Sequence, residues 1–176
     1  LMNRHRAISL AIENVYKEGL TDIFSRPFEI ELLKNKLFQS EIHKSIESRL
    51  KSNSLESLAV TPLQYALFPK KDPFDFRRAA LMQPMDTIIY LSLVLLMADI
   101  IERARPKIRE NRVFSYRFKP NGGFLFSEKY NYTSFEKFVS NSAKSPKVRV
   151  LVKCDISNFF DRINIHRIES TLLDLS

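Results

Sequence analysis

Two stretches of this sequence hold residues whose types and spacing suit chemistry. The first is Arg149-Val-Leu-Val-Lys-Cys-Asp-Ile-Ser-Asn-Phe-Phe-Asp161, in which a near-continuous apolar run from Val148 to Val152 leads into an acid, Asp155. The run is expected to be a buried β-strand. An aspartate at the end of such a strand is costly to desolvate without a partner, so a metal ion or a reacting group is a natural companion. The bland alternative is a strand-end or helix-cap aspartate. The second stretch is Leu67-Phe-Pro-Lys-Lys-Asp-Pro-Phe-Asp-Phe-Arg-Arg78. It is expected to be a β-hairpin with Lys70 and Lys71 on one arm and Arg77 and Arg78 on the other. Lysine offers a point charge and arginine a fork of donors, which together suit a triphosphate. Basic pairs on a hairpin are also ordinary solvated surface.

Three chemistries compete for Asp155. A phosphatase-like nucleophile usually sits in an Asp-x-Asp frame, and here the second position is Ser157. A receiver-type phosphoacceptor needs an acidic cluster from an earlier strand, and the first half of the chain offers none. A polymerase metal ligand needs a strand-end Asp, a following carbonyl for the same ion and a pocket for the incoming sugar. Ile156 would give the carbonyl. Phe160, five residues on, would lie under the sugar, where a bulky aromatic collides with a 2′-hydroxyl and selects deoxynucleotides. Backbone N–H groups around Asn158 and Phe159, where strand turns into helix, would face phosphate.

The elements that must position these groups follow in order. Residues 1–60 read as a helical region. Ala7, Ile8, Ala11, Ile12 and Val15 recur at helical spacing, and Gly19 can stop that helix. A looser stripe of Ile30, Leu33, Leu37, Ile42, Ile46 and Leu50 follows, with a break expected near Gln39-Ser40. Thr87 to Arg105 predicts a central core helix with Asp86 in capping position, and Arg103 and Arg105 suit its negative end. Val113 to Pro120 is extended, and Asn121-Gly122-Gly123 is a turn. Between Phe124 and Lys147, aromatics alternate with Lys129, Lys137 and Lys144. Such interleaving can stack bases while the charges follow phosphates. A helix from Thr133 with Phe135, Phe138 and Val139 in the core accounts for the same residues.

The 176 residues are 44% hydrophobic and 27% charged, the balance of a globular chain, and the net charge is +8. That excess favours a polyanionic partner. Cys154 is the only cysteine, which excludes an intramolecular disulfide and fits a cytoplasmic setting. Its strand position makes it a packing residue. The longest apolar run, Ile88 to Ala98, falls short of the roughly 20 residues a membrane span requires, so no membrane association is expected.

The segment Cys-Asp-Ile-Ser-Asn-Phe-Phe-Asp-Arg-Ile-Asn-Ile-His-Arg-Ile resembles the first catalytic motif of reverse transcriptases. The Phe-Pro-Lys-Lys…Arg-Arg-Ala-Ala-Leu…Pro-Met-Asp stretch is similar to their fingers hairpin. The likeness covers about residues 65 to 175. Val-Phe-Ser-Tyr-Arg, and Phe-Glu-Lys-Phe before the motif, look more like the abortive-infection and defence-associated bacterial branch than like retrons or intron enzymes. The resemblance implies an α+β fold: a helical region over 1–60, a fingers-like region over 61–147 and the start of a palm over 148–176. It implies that Asp155 and the Ile156 carbonyl hold Mg²⁺, that Phe160 is the sugar gate, and that Lys70 or Lys71 with Arg77 or Arg78 holds the dNTP triphosphate. Arg117 would contact template or form a structural ion pair, and His166 would pack or cap the helix after the motif. The implied activity is RNA-directed DNA synthesis in antiphage defence. Its partners would be an RNA template or noncoding RNA, the DNA product, and a homo-oligomer or partner subunits.

The family's second metal-binding turn, Tyr-x-Asp-Asp, is absent from these 176 residues. Two-metal chemistry needs acids from both places, with the ions roughly 3.5–4 Å apart. This stretch is therefore expected to hold half of that site. Two other classes stay open: a non-catalytic RNA-binding or assembly module, and a helical interaction protein whose Asp155 is only a cap.

Overall fold

The computed structural model describes residues 2–20, 26–52, 58, 60–69, 74–157, 159 and 162–175. The fold is α+β, with helices and two small antiparallel sheets. The chain divides into two compact units, Leu1–Ala98 with Pro120–Leu125, and Asp99–Lys119 with Phe126–Ser176.

In the first unit, helix α1 (Arg4–Glu18) begins where the Asn3 side chain accepts from Arg6 N at 2.9 Å. Its expected stripe of Ala7, Ile8, Ala11, Ile12 and Val15 is buried throughout. Gly19 ends it at φ 80° with its N–H on Val15 O, a conformation that favours glycine. Helix α2 (Phe28–Leu32) is a single short piece, and α3 (Lys36–Lys51) packs against α1 through Ile42 and Ile46. The break between α2 and α3 falls at Lys34-Asn35, earlier than the Gln39-Ser40 expected from the apolar stripe. The cause is capping: the Asn35 side chain accepts from Leu37 N at 2.9 Å and from Phe38 N at 3.4 Å.

Strands β1 (Gln64–Pro69) and β2 (Phe76–Leu81) form the expected hairpin, with Leu67 opposite Arg78 and Phe68 opposite Arg77. Period-2 alternation puts Ala66 and Phe68 on a half-buried face, while Tyr65, Leu67 and Phe76 are exposed on the other. Helix α4 (Pro84–Ala104) starts at Pro84, which suits the first helical position because its missing N–H has no partner there anyway. Asp86 is not an outward cap but is buried, and its carboxylate accepts from Thr61 N at 2.9 Å. Ile88, Ile89, Leu95 and Ala98 are buried, whereas Tyr90, Leu93 and Val94 are exposed, so α4 is one-sided and not enclosed. At 21 residues, α4 is long and apolar enough to cross a membrane by length and composition alone. The strictly apolar run understated its length because the helix also takes in both flanks. Its buried polar groups are satisfied as in a core helix: Ser92 Oγ donates to Ile88 O at 2.7 Å.

Strands β3 (Phe118–Asn121) and β4 (Phe124–Phe126) flank the expected Gly122-Gly123 turn, which has φ of 55° and 90°. Helix α1 grips that turn. Asn14 Nδ2 donates to Gly123 O at 2.9 Å, and Lys17 Nζ donates to Gly122 O while lying 5.0 Å from the Phe124 ring centroid.

In the second unit, α5 (Tyr132–Ala143) opens with a reciprocal cap. Asn131 Oδ1 accepts from Ser134 N and Ser134 Oγ accepts from Asn131 N, both at 2.9 Å. Helix α6 (Ile165–Leu175) carries exposed Ile165, Ile168 and Leu173. Between them, the expected buried strand does not form. Among the described residues, 148–156 form no ladder, and Val150 and Val152 are 76% and 75% exposed. An apolar run cannot be a buried strand until neighbours supply its hydrogen bonds and cover its faces. Cys154 is exposed for the same reason, so it is not a packing residue.

Candidate functional site

The candidate residues lie in both units. In the first, Arg77 and Arg78 are consecutive residues of β2. The Arg78 guanidinium lies 3.9 Å from the Tyr65 ring centroid, on the exposed face of the hairpin. Such stacking orients the fork and leaves its edge N–H groups for an anion. Lys70 and Lys71 fall outside the described residues.

In the second unit, Asp155 is exposed, and its Oδ1 accepts from Ile156 N at 2.9 Å. That contact ties the carboxylate to the amide of the next residue. Ile156 and Phe159 are 61% and 49% exposed. Asn158 and Phe160 fall outside the described residues, so the proposed gate has no described geometry. A carboxylate and a backbone carbonyl are hard oxygen donors, the class that suits Mg²⁺, which retains several waters and takes one or two protein carboxylates. The donor chemistry of Asp155 and Ile156 fits that ion. Among the described residues, no three His, Cys, Asp or Glu side chains converge as a metal cluster.

Arg117 takes the structural alternative. It is 3% exposed, and its Nη1 donates to Glu102 Oε1 at 2.7 Å while Nη2 donates to Pro106 O. Glu102 Oε2 also accepts from Phe118 N at 3.2 Å and from Arg105 Nη1 at 3.3 Å. A guanidinium held this way is not presented to a template. Arg105, expected only to complement the helix dipole, donates to Tyr116 O at 2.6 Å and to Ser115 O at 2.7 Å. That fork holds Tyr116 at φ 52°, a left-handed backbone rare outside glycine. Ser-Tyr-Arg is thus a sharp turn clamped by the end of α4. His166 neither packs nor caps: its side chain is 92% exposed, 3.7 Å from Glu169.

One polar cavity escaped the sequence reasoning, which gave the N-terminal helices no chemistry. It lies between α1 and α3, is about 420 Å³ in volume and is lined in part by His5, Glu13, Lys36, His43 and Glu47. The His5 and His43 rings lie 4.4 Å apart, and His43 Nε2 is 3.1 Å from His5 O. Glu47 accepts from Lys51 at 3.0 Å. That hydrogen bond and the lysine's charge hold the Glu47 carboxyl below its ordinary value. Helical spacing alone could not reveal a cavity whose walls come from two helices.

Compared with family models, with curated proteins and with solved structures, the chain matches none.

Proposed function

We propose that this chain is the fingers and initial palm portion of a bacterial RNA-directed DNA polymerase acting in antiphage defence. The observation that supports the reading is the β1–β2 hairpin, which carries Arg77 and Arg78 directly ahead of a long helix. In the proposed reaction, a 3′-hydroxyl or protein hydroxyl attacks the α-phosphorus of a dNTP. The new P–O bond forms as the bond to pyrophosphate breaks, and the hydroxyl proton is lost to solvent or a base.

The residues of this chain would bind and orient. Lys70 or Lys71 with Arg77 or Arg78 would hold the triphosphate by charge-assisted hydrogen bonds. Backbone N–H groups at Asn158 and Phe159 would face its oxygens. The Phe160 ring would exclude a 2′-hydroxyl by contact. Asp155 and the Ile156 carbonyl would hold Mg²⁺, whose chemistry when bound is to neutralise developing charge on the phosphate oxygens. RNA would serve as template or as a noncoding RNA partner.

The test is dNTP incorporation by the full-length gene product. Asp155→Asn abolishes incorporation with folding intact, and activity near wild type would remove the metal assignment. Phe160→Ala admits ribonucleotides, and unchanged discrimination would remove the gate. A second reading, a non-catalytic RNA-binding or assembly module, is favoured by one observation: Asp155 ends an exposed segment that has no ladder partner among the described residues. It prevails if Asp155→Asn alters neither RNA retention nor phage protection.

A further inference from the structure

The positive charge of this chain is not spread evenly. Between Arg105 and Lys153 there are twelve Lys and Arg residues against three acids, an excess of nine where the whole chain carries +8. The rest of the molecule is therefore close to neutral, and a polyanion would be drawn to this segment.

The same segment holds a cleft of about 300 Å³, lined by Arg112, Val113, Phe114, Asn131, Tyr132 and Phe135, with Ser115 completing the wall. Its rings fall into two groups. Phe114 packs 5.1 Å from Phe138 and edge-on to Phe135 at 5.8 Å, and these contacts hold α5 to the Val113–Ser115 segment. Tyr132 is different. It lies at the first residue of α5, its ring is 6.3 Å from Phe135, and it is 66% exposed. Phe135 and Phe138, expected in a core, are 44% and 40% exposed, and ring contacts with Phe114 account for them; no such packing accounts for a tyrosine with most of its surface in water beside a cleft of other rings.

The cleft is built on held backbone. Its Ser115 wall is fixed by the Arg105 fork, and its Asn131 wall by the reciprocal cap of α5. At the rim, Arg112 is 73% exposed and only loosely paired, with Nε 3.4 Å from Glu110. An exposed ion pair of that kind contributes little, so exchanging the carboxylate for a phosphate costs little.

We propose that this cleft stacks an unpaired base of a single-stranded nucleic acid on Tyr132, with Arg112 taking an adjacent phosphate. Every base has a π-face, so an aromatic ledge in a basic segment binds single strands with little sequence preference. A duplex does not enter, because its bases are already stacked and paired. The site is separate from Asp155 and does not depend on the polymerase reading.

The experiment is fluorescence anisotropy with a labelled oligouridylate of about 20 nucleotides, a length that covers one or two binding sites of this kind. Tyr132→Ala weakens binding about tenfold, the lower end of what loss of one stacking ring costs. Tyr132→Phe keeps wild-type affinity, which separates stacking from a hydroxyl contact. Arg112→Ala lowers the salt dependence of binding by about one phosphate contact. Circular dichroism checks that α5 is intact in Tyr132→Ala, and Tyr132→Leu, which keeps the bulk without the ring, weakens binding to the same extent. Equal affinity of wild type and Tyr132→Ala would overturn the proposal, as would equal competition by duplex RNA of the same length. The oligouridylate assay contains no dNTP and reads Tyr132 and Arg112, so its result stands whichever way Asp155→Asn affects incorporation, and the two readings fail separately.

Discussion

Removing Glu102 is expected to destabilise the second unit. Its carboxylate accepts from Arg117 Nη1, Arg105 Nη1 and Phe118 N, and among the described residues it is the one acid on a guanidinium that is only 3% exposed. Among the described residues Arg117 Nε already has no hydrogen-bond partner, so in Glu102→Ala the buried cation keeps only the Pro106 carbonyl from them. Breaking a buried pair by removing one partner costs about 3–5 kcal/mol. The Glu102 side chain is 22% exposed, so water reaches part of the site and the expected cost is the lower end, about 3 kcal/mol. The reporter is the amide of Ser127, which donates to Arg117 O at 2.8 Å and keeps that acceptor in the variant. Hydrogen exchange there reads local opening. A cost of about 3 kcal/mol appears as exchange faster by about a hundredfold under conditions where opening is in rapid equilibrium. Two comparisons sharpen the reasoning. Glu102→Leu with Arg117→Met should recover much of the loss, because no buried charge remains. Glu41→Ala, which breaks a pair with side chains 69% and 70% exposed, should cost about 0–1 kcal/mol. If Glu102→Ala changes Ser127 exchange no more than Glu41→Ala changes exchange in α3, the claim that this pair is buried and structural fails. If the double variant is worse than the single, the cost comes from lost packing and not from an orphaned charge.

Three further outcomes follow from the first unit. Gly123→Ala destabilises by about 1–3 kcal/mol, because φ is +90° and the added Cβ would lie 2.8 Å from Lys17 Cδ and 3.3 Å from Glu13 O; chemical denaturation measures it. Asn14→Ala leaves the buried Gly123 carbonyl without its donor and costs about 1–3 kcal/mol in the same assay, with faster exchange across the β3–β4 turn. Lys51→Met raises the Glu47 pKa toward 4.5, read by carbon-detected titration, because it removes the hydrogen bond and charge that hold it down. The sign follows from linkage. A depressed carboxyl contributes stability above its unfolded value and loses it as pH falls through the lower folded value, so the variant shows a shallower loss on the acid side. An unchanged Glu47 titration would show that Lys51 is not the cause.

What could be read from the sequence depended on how local its cause was. The α1 stripe, the β1–β2 hairpin and the Gly122-Gly123 turn depend on periodicity and turn chemistry within a few residues, and all three are present. The break falls at Asn35 and not at Gln39-Ser40 because one side chain on two backbone amides outweighs a loose apolar stripe. Arg105 illustrates the opposite limit. Its position near the end of α4 suggested a dipole partner, yet its guanidinium spans to two successive carbonyls ten and eleven residues on, which no local pattern encodes. Asp86 likewise had a local explanation as a cap, and a tertiary contact with Thr61 claims it instead.

Asp155 shows why the strand was the least secure inference. Desolvation is what would give Asp155 a metal partner, and desolvation requires that residues 148–152 be covered. A strand contributes one hydrogen-bonding edge to each side and two faces to the core, so its burial is a property of its neighbours. Here Val150, Leu151 and Val152 are 76%, 63% and 75% exposed, and Asp155 feels no burial that would favour a cation over water. The donor types remain right for Mg²⁺ while the environment is not yet that of a polymerase site. Any catalytic role for Asp155 therefore carries a structural requirement: ladder partners for residues 148–152, from the same polypeptide or another, must come with it. Amide exchange at Val150 and Val152 tests that requirement directly. In an active polymerase these amides must be protected. If they exchange freely while dNTPs are being incorporated, the metal is held elsewhere.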